Sequence, residues 1–346
     1  MKAAYLYGQR DIRLDDAPKE LPGHDELLLD VTAVGVCGSD LHTYLFGQVG
    51  DTAPEGPLIL GHEAAGRVVA LGDGVGDRFR VGQNVAIDPA IPCWECERCE
   101  AGDANLCTKL QFIGLWPRHG ALREQMVHPA RSCVVLPDGI SPVAGALLEP
   151  LGVALHAINL SKIRVGDDVV VIGCGAIGLL LIRLARLTGA RHIYASDKHE
   201  WRLKMAAAFG ADIVIDISKQ DVIAEVMHRT QGRGVDVAIE SAWAAETVNQ
   251  CVEVARNGAR VIIVGIPVED WIKLRASPSR RKGLTIKMSR RMKHTYPASI
   301  ALATSGQVDL EALATHRFSL EESKQAFDVA ADYSDGVIRA MILPKS

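Results

Sequence analysis

The chain has 346 residues, of which 48% are hydrophobic and 23% charged, and its formal net charge is −4. This length exceeds what one simple core accommodates and predicts two domains. The weakly acidic balance gives no reason to expect a nucleic-acid partner. A membrane-spanning segment is not expected either, because no sufficiently long apolar run is evident.

The predicted elements change character along the chain. The first 150 residues are typical of an irregular, partly closed β domain, with strands predicted at 1–8, 27–34, 64–71 and 81–87. From about residue 155, strands alternate with helices, which predicts a doubly wound parallel sheet. Its strands are predicted at 169–172, 192–196, 213–215, 235–239 and 260–264, and its helices at 176–187, 201–209, 222–231 and 247–255. A helix at 297–304 and a strand at 337–342 are expected to return to the first domain. The predicted domains are therefore 1–155 and 156–290, and residues 291–346 are a C-terminal segment that returns to the first domain.

A glycine-rich turn follows the first strand of this alternation. Gly173, Gly175 and Gly178 have the G-x-G-x-x-G spacing between a strand and a helix, which is the context that a dinucleotide fingerprint requires. The glycines allow a tight turn, a close approach to a pyrophosphate and close packing of the helix on the strand. Asp197 ends the next strand, where its carboxylate can accept hydrogen bonds from a ribose. The same carboxylate would repel a 2′-phosphate, so NAD is expected rather than NADP.

Cysteines are concentrated in one loop. Four of the eight lie at positions 93, 96, 99 and 107, a spacing typical of a metal site and not of a disulfide framework. Cys93, Cys96, Cys99 and Cys107 are expected to hold a structural zinc with no open position. An iron–sulfur cluster is the alternative. Free thiols in this pattern also favour a reducing cytoplasm.

A second group of metal-ligand residues leaves room for a substrate. Cys37, His62 and Glu63 offer a thiolate, an imidazole and a carboxylate, which are the side chains that a catalytic zinc uses. Glu149 is the fourth candidate because it lies in an apolar run, where a buried carboxylate needs compensation. A salt bridge or a helix N-terminal contact would also explain Glu149.

Together these motifs resemble a known family. The pattern Gly61-His62-Glu63-x2-Gly66-x5-Gly72-x2-Val75, the segment 37–42, the four-cysteine loop and the 173–178 fingerprint resemble zinc-dependent medium-chain alcohol dehydrogenases over essentially the whole chain. Glu149-Pro150 resembles the sorbitol, or polyol, branch, where the ethanol-type branch has a cysteine.

The resemblance implies a fold and a reaction. It implies a GroES-like β-rich catalytic domain with a Rossmann domain, two zinc ions per chain, and NAD. The implied reaction transfers a hydride from a secondary alcohol of a polyol, sugar or cyclitol to NAD and gives a ketone. An L-threonine 3-dehydrogenase-like reaction on an amino-alcohol is the alternative. A homotetramer or homodimer is implied, with contacts at the sheet edge 259–266 and at the four-cysteine loop. A non-catalytic NAD-binding protein is disfavoured because all the ligand residues are present.

The resemblance also implies roles for particular residues. NAD contacts are expected at Ile177, Asp197, Arg202, Val264, Gly265 and Ile266 and in the 290–292 segment. Arg291 corresponds to a substrate-facing arginine, although a shift of one residue would select Arg290. Ser39 and His42 are expected to relay the alcohol proton, with His42 nearer solvent; a ribose or surface contact for His42 and a base role for Glu149 stay open.

Overall fold

The computed structural model describes residues 1–345, which form two compact units. One unit comprises Met1–Pro150 and the segment that begins at Tyr296, and the other is Leu151–Thr295. These divisions lie five residues from the predicted boundaries at 155 and 290.

The strands are, in chain order, β1 (Lys2–Gly8), β2 (Asp11–Asp16), β3 (Glu26–Gly35), β4 (Leu58–Ile59), β5 (Glu63–Leu71), β6 (Asn84–Ile87), β7 (Ala90–Ile91), β8 (Gln111–Phe112), β9 (Gln125–Pro129), β10 (Cys133–Val135), β11 (Asp168–Ile172), β12 (His192–Asp197), β13 (Ile213–Asp216), β14 (Val235–Glu240), β15 (Ala255–Ile263), β16 (Thr285–Met288), β17 (His316–Ser319) and β18 (Ala340–Leu343). The α-helices are α1 (Gly38–Phe46), α2 (Glu97–Glu100), α3 (Pro142–Ser161), α4 (Ala176–Leu187), α5 (Glu200–Phe209), α6 (Val222–Arg229), α7 (Thr247–Val254), α8 (Ala276–Arg281), α9 (Tyr296–Thr304) and α10 (Ser323–Ala331).

The β-rich unit is built around β3. This strand pairs antiparallel with β5, β9 and β18, in a sheet of order β10-β6-β5-β3-β18-β17 with β9 beside β3. Alternate side chains of β3, among them Leu27, Leu29 and Val31, are fully buried in the core of this unit. The C-terminal strand β18 therefore completes the sheet that begins near the N-terminus.

The other unit contains a six-stranded sheet of order β13-β12-β11-β14-β15-β16, in which every adjacent pair is parallel. All five residues of β11 are buried, as expected for a strand with helices on both faces of its sheet. The order reverses between β11 and β14, which is where such sheets bind ligands, at the carboxyl ends of the strands. The predicted doubly wound sheet is confirmed, and α4 has the predicted bounds.

Several elements differ from the sequence-based expectations. Helix α1 was not predicted, since its nine residues have weak periodicity. The strand at 259–266 was expected at a sheet edge, but β15 pairs on both sides and β16 forms the edge. The last strand begins at Ala340 rather than at Val337.

Helix α3 corrects the expectation that no segment reaches the length and apolarity of a membrane span. Its 20 residues pass that test by length and composition, although most of them are buried inside the protein. The sequence pattern concealed this helix because Glu149 and Pro150 interrupt its apolar run. A mostly buried helix of this kind is typical of a protein core and is weak support for a span.

An ionic network closes the amino ends of the two central parallel strands. Asp168 on β11 and Asp236 on β14 are both buried, and the Asp168 backbone N–H donates to Asp236 Oδ2 at 2.9 Å. Arg191 bonds to Asp168, whereas Arg233 and Arg256 bond to Asp236 at 2.8 and 2.6 Å. Burial opposes ionisation, but these donors outweigh it and lower the pKa of Asp236 to about 2.

We expect Asp236→Asn to lower the free energy of unfolding by about 2 kcal/mol, because two guanidinium groups lose a charged acceptor. A folded-state pKa below the unfolded value of about 3.9 means that the stabilisation is fully present above about pH 4 and is lost as pH falls towards 2. Urea unfolding should therefore show a constant difference in the free energy of unfolding between Asp236→Asn and the wild type from pH 8 to pH 5. Asp270→Asn, at an exposed position, is the control and should unfold with the same free energy as the wild type. A difference for Asp236→Asn that disappears between pH 7 and pH 5 would contradict this assignment.

Candidate active site and cofactor site

Three side chains from two places in the sequence, the start of α1 and the start of β5, meet in the β-rich unit. Cys37 caps the N-terminus of α1, His62 precedes β5, and Glu63 begins β5. Their ligand atoms all lie within 4.8 Å of one another. His62 and Glu63 are buried, at 3% and 0% exposure, and Ser39 Oγ lies 3.4 Å from both Cys37 Sγ and His62 Nε2. The geometry therefore brings together the thiol, imidazole and carboxylate singled out in the sequence.

The orientation of the His62 ring is set by Asp40. Its carboxylate accepts the backbone N–H groups of Cys37 at 3.1 Å and Gly61 at 3.3 Å, and its Oδ1 lies 3.2 Å from His62 Nδ1. Burial disfavours a charged ring, but Asp40 and Cys37 outweigh it and raise the pKa of His62 well above its ordinary value. A carboxylate on one ring nitrogen with the other directed at the cluster is typical of a metal-binding histidine. Asp40 lies in the segment 37–42, but no feature of the sequence indicates this role.

A buried arginine from the C-terminal part of the chain completes the surroundings of the cluster. Arg339 Nη2 lies 3.2 Å from Glu63 Oε1, and its Nη1 donates to the Val36 carbonyl at 2.6 Å. Burial opposes its charge, but Glu63, Cys37, Glu149 and Asp40 outweigh it and raise the pKa of Arg339. Sequence reasoning missed Arg339, although a lone arginine within the apolar run 337–342 signals a buried anionic partner.

The residues present fit a zinc ion. Within residues 1–345, both Glu63 oxygens and His62 Nδ1 are buried without a directed hydrogen bond, although each ion-pair partner lies at 3.2 Å. Sulfur, nitrogen and oxygen donors in one buried cluster match the ligand preference of zinc. A dication would also balance the carboxylates and the thiolate collected there.

Two further predicted residues, Glu149 and His42, lie outside the group formed by Cys37, His62 and Glu63. Glu149 is buried in α3 and its charge acts on Arg339, but over the described chain it is not part of the group within 4.8 Å. His42 is only 3% exposed and its ring packs edge-on against Phe46, whereas Ser39 is partly exposed. The expectation that His42 lies nearer solvent than Ser39 is therefore wrong, because α1 carries His42 into the core. Burial lowers the pKa of His42 to about 4.

The four-cysteine loop forms a second cluster. The ligand atoms of Cys93, Cys96, Cys99 and Cys107 lie within 4.8 Å of one another. Sulfur–sulfur distances of 3.4 Å and 3.9 Å are far longer than a disulfide and close to the roughly 3.8 Å of tetrahedral zinc thiolates. Backbone N–H groups of Cys99 and Thr108 lower the pKa of Cys96 to about 5, while burial and the neighbouring thiols raise the pKa of Cys99 to about 12. A bound cation would relieve that repulsion.

The glycine fingerprint has the geometry of a phosphate cradle. Gly173 has a φ of 97°, and a Cβ on Gly178 would collide with the Gly173 carbonyl oxygen. A Cβ on Gly175 would meet nothing nearer than Arg202 Nη1 at 3.9 Å, so the space beside its backbone is open. Gly175 caps α4 without a side-chain hydrogen bond, which leaves N–H groups of the first helical turn, including that of Ile177, to face a pyrophosphate.

The end of β12 carries Asp197. Its Oδ2 accepts the Cys174 N–H at 2.9 Å and its Oδ1 accepts the His199 N–H at 3.0 Å, which joins the glycine turn to the next loop. Arg202 Nη1 on α5 lies 3.7 Å from Asp197 Oδ2. Both residues therefore lie beside the fingerprint, where the adenosine half of a dinucleotide is expected.

The remaining predicted cofactor residues follow β15. Glu240, buried at the end of β14, accepts N–H groups from Ala242 and Trp243 at 2.8 Å and from Gly265 at 3.2 Å. Its carboxylate thereby organises the segment of Val264, Gly265 and Ile266. Arg291 follows β16 at the same edge of the sheet. Sequence reasoning missed Glu240, because its charge gives no local sign of the loops that it joins.

Comparison with known proteins agrees with these features. The family models "Alcohol dehydrogenase GroES-like domain" and "Zinc-binding dehydrogenase" match residues 23–138 and 176–305. Sorbitol dehydrogenase of Bacillus subtilis (strain 168) is 36% identical over 99% of this chain and 97% of its own length.

Solved structures are similar over the whole chain. An Escherichia coli oxidoreductase/dehydrogenase of unknown specificity has a TM-score of 0.92 at 32% identity, and the match covers 99% of both chains. A putative zinc-binding dehydrogenase from Sinorhizobium meliloti 1021, bound to NADP, has a TM-score of 0.90 at 32% identity with the same coverage. The predicted GroES-like and Rossmann fold is confirmed. The chain belongs to the zinc-binding alcohol dehydrogenase family, whose members use zinc and a nicotinamide cofactor to oxidise or form alcohols.

Proposed function

We propose that the protein transfers a hydride from a secondary alcohol of a polyol, sugar or cyclitol to NAD and produces a ketone. The observation that carries this proposal is the group formed by the partly buried Cys37 with the buried His62 and Glu63, in a chain that also has the dinucleotide fingerprint. The similarity to a sorbitol dehydrogenase supports a polyol as the substrate class. No observation favours the amino-alcohol reaction, and the substrate comparison described below includes threonine to test it.

Cys37, His62 and Glu63 would hold the catalytic zinc, with Glu149 as a further carboxylate. Bound zinc supplies a Lewis acid that favours loss of the alcohol proton, and NAD supplies the hydride acceptor. Arg339 holds the Glu63 carboxylate by charge, so Glu63 is positioned whether or not it binds metal directly. Asp40 holds the His62 ring.

The proton leaves through side chains of α1 in this proposal. Ser39 Oγ lies within 3.4 Å of two proposed ligands and accepts the alcohol proton there. His42 lies one helical turn further along α1, and its lowered pKa keeps the ring neutral and able to accept a proton at pH 7. Glu149 is the alternative base.

The cofactor preference and the second metal are part of the same proposal. Asp197 favours NAD because a carboxylate repels a 2′-phosphate, although a relative of known structure binds NADP. The four cysteines would hold a structural zinc, which makes two zinc ions per chain. A homo-oligomer, dimer or tetramer, and a cytoplasmic location complete the proposal; the eight unpaired cysteines support a reducing compartment.

Initial rates of NADH formation test the reaction. Sorbitol, xylitol, inositols, sugar acids and threonine are compared at equal concentration with NAD and with NADP. Faster reduction with a polyol-type substrate and with NAD is expected. A faster reaction with threonine would show that the substrate is an amino-alcohol and not a polyol. A faster reaction with NADP would overturn the role given to Asp197.

Variants of the proposed zinc ligands separate chemistry from cofactor binding. We expect Cys37→Ser and His62→Ala to lower kcat by at least about 10³-fold, because loss of the metal removes several kcal/mol of transition-state stabilisation. Fluorescence titration should show unchanged NADH affinity, and the zinc content should fall by one per chain. Cys133→Ala removes a buried thiol outside both clusters and should keep its zinc and its kcat. A ligand variant with near-native kcat and one zinc fewer would contradict the mechanism.

The glycine at the cofactor cradle provides an independent test. Gly175→Ala should leave the thermal midpoint of the free protein unchanged, since the φ of −69° suits alanine and the added methyl group meets only open space. It should weaken NADH binding at least about tenfold, because that space is assigned to the pyrophosphate. Gly8→Ala, at another open position, is the matched control. Equal NADH affinity in both variants would argue against a cradle at Gly175.

A further inference from the structure

The turn that follows β14 packs against the glycine fingerprint. Both belong to the unit Leu151–Thr295. Ser241 N–H donates to the Ile172 carbonyl at 2.9 Å, and Ser241 Oγ lies 2.9 Å from the Gly173 carbonyl oxygen. A Cβ added to Gly173 would lie 2.8 Å from the Cα of Ala242. One side of this turn is therefore fixed against the backbone that is expected to face the pyrophosphate.

The other side of the turn is held by Glu240, the last residue of β14, which is only 1% exposed. Its Oε1 accepts the N–H groups of Ala242 and Trp243, both at 2.8 Å, and lies 2.9 Å from the Thr247 hydroxyl. Its Oε2 accepts the N–H of Gly265 at 3.2 Å, and the Glu240 backbone carbonyl shares that N–H. The two carboxylate oxygens therefore bond to different loops.

The two loops meet closely around this carboxylate. A Cβ added to Gly265 would lie 2.5 Å from Glu240 Oε2 and 2.9 Å from the Trp243 nitrogen. Trp243 has a φ of 53°, a left-handed conformation that a bulky residue adopts at a cost. Such a conformation persists only where the surroundings hold it, and the hydrogen bond from the Trp243 N–H to Glu240 contributes to this.

The order of the strands assigns the two loops to different parts of a bound dinucleotide. The pyrophosphate is expected at the N-terminus of α4, after β11, and the adenosine ribose at Asp197, after β12. Strands β14 and β15 lie on the side of β11 away from β12. The 264–266 segment, which follows β15, is therefore expected on the nicotinamide side of the cofactor.

We propose that Glu240 sets the affinity for the nicotinamide half of the cofactor, as a positioning residue that fixes the 264–266 segment relative to the glycine fingerprint. The inference rests on the proposed function, because it takes the fingerprint and the 264–266 segment as parts of one NAD site. A segment that is ordered before binding loses less conformational entropy when the cofactor arrives, and the affinity is correspondingly higher.

Glu240→Gln tests the proposal because it disturbs one of the two loops selectively. A glutamine amide has a single acceptor oxygen, and three donors surround the Oε1 position. The amide oxygen is therefore expected there, and its NH2 group then faces the Gly265 N–H, so that two donors oppose each other. We expect the full-length, zinc-loaded variant to bind NADH at least about tenfold more weakly in a fluorescence titration. Affinity for AMP, which lacks the nicotinamide half, should stay within about twofold of the wild type by calorimetric titration.

Two variants serve as controls. Asp236→Asn removes the charge of a buried carboxylate at the opposite end of the same strand and should leave both affinities unchanged. Thr247→Val takes a donor away from Glu240 Oε1 but keeps the bond to Gly265, so its NADH affinity should stay within about twofold of the wild type. Equal losses of NADH and AMP affinity in Glu240→Gln, or an equal loss of NADH affinity in either control, would overturn the proposal.

Hydrogen exchange in the wild type covers the case in which Glu240→Gln does not fold. The Gly265 amide should exchange slowly in the zinc-loaded protein without cofactor, and NADH should slow it little further, because Glu240 already holds it. Rapid exchange that becomes slow only with NADH would show that the cofactor orders the segment, which would overturn the proposal. A wild type that binds NADH and oxidises no alcohol would refute the proposed function while leaving this inference intact.

Discussion

The site depends on the compensation of buried charge around Glu63. This carboxylate is fully buried and rests against the buried guanidinium of Arg339, while Asp40 holds the ring of His62 from the other side. Leaving one partner of a buried pair alone costs about 3–5 kcal/mol, so these groups constrain one another strongly. A zinc ion bound there would add the remaining positive charge. The packing of β18 against β3 is what delivers Arg339 to this position.

A second constraint is the carboxyl edge of the parallel sheet. This edge carries the turn after β11, Asp197 at the end of β12, Glu240 at the end of β14 and the segments after β15 and β16. Glu240 and Asp197 each accept backbone N–H groups from loops distant in sequence, so both carboxylates shape the edge before any ligand binds.

The parts of the fold with local signals could be predicted from the sequence. Strand–helix alternation and the glycine spacing identified α4 and the parallel sheet, and cysteine spacing identified the four-sulfur cluster. The roles of Asp40, Arg339 and Glu240 could not be predicted, because each depends on a partner brought near by the fold. Helix α3 was missed because Glu149 and Pro150 break its apolar run, and the burial of His42 follows from the unpredicted helix α1.

Anomalous diffraction at the zinc absorption edge, from crystals of the protein, would locate the metal and so test the assignment of zinc to the two clusters. We expect two zinc peaks per chain. One should lie about 2.3 Å from all four sulfurs of the cysteine loop, and the other about 2.3 Å from Cys37 Sγ and about 2.1 Å from His62 Nε2 with a carboxylate or water completing it. A chain with no metal between Cys37 and His62, although zinc occupies the four-cysteine loop, would contradict it.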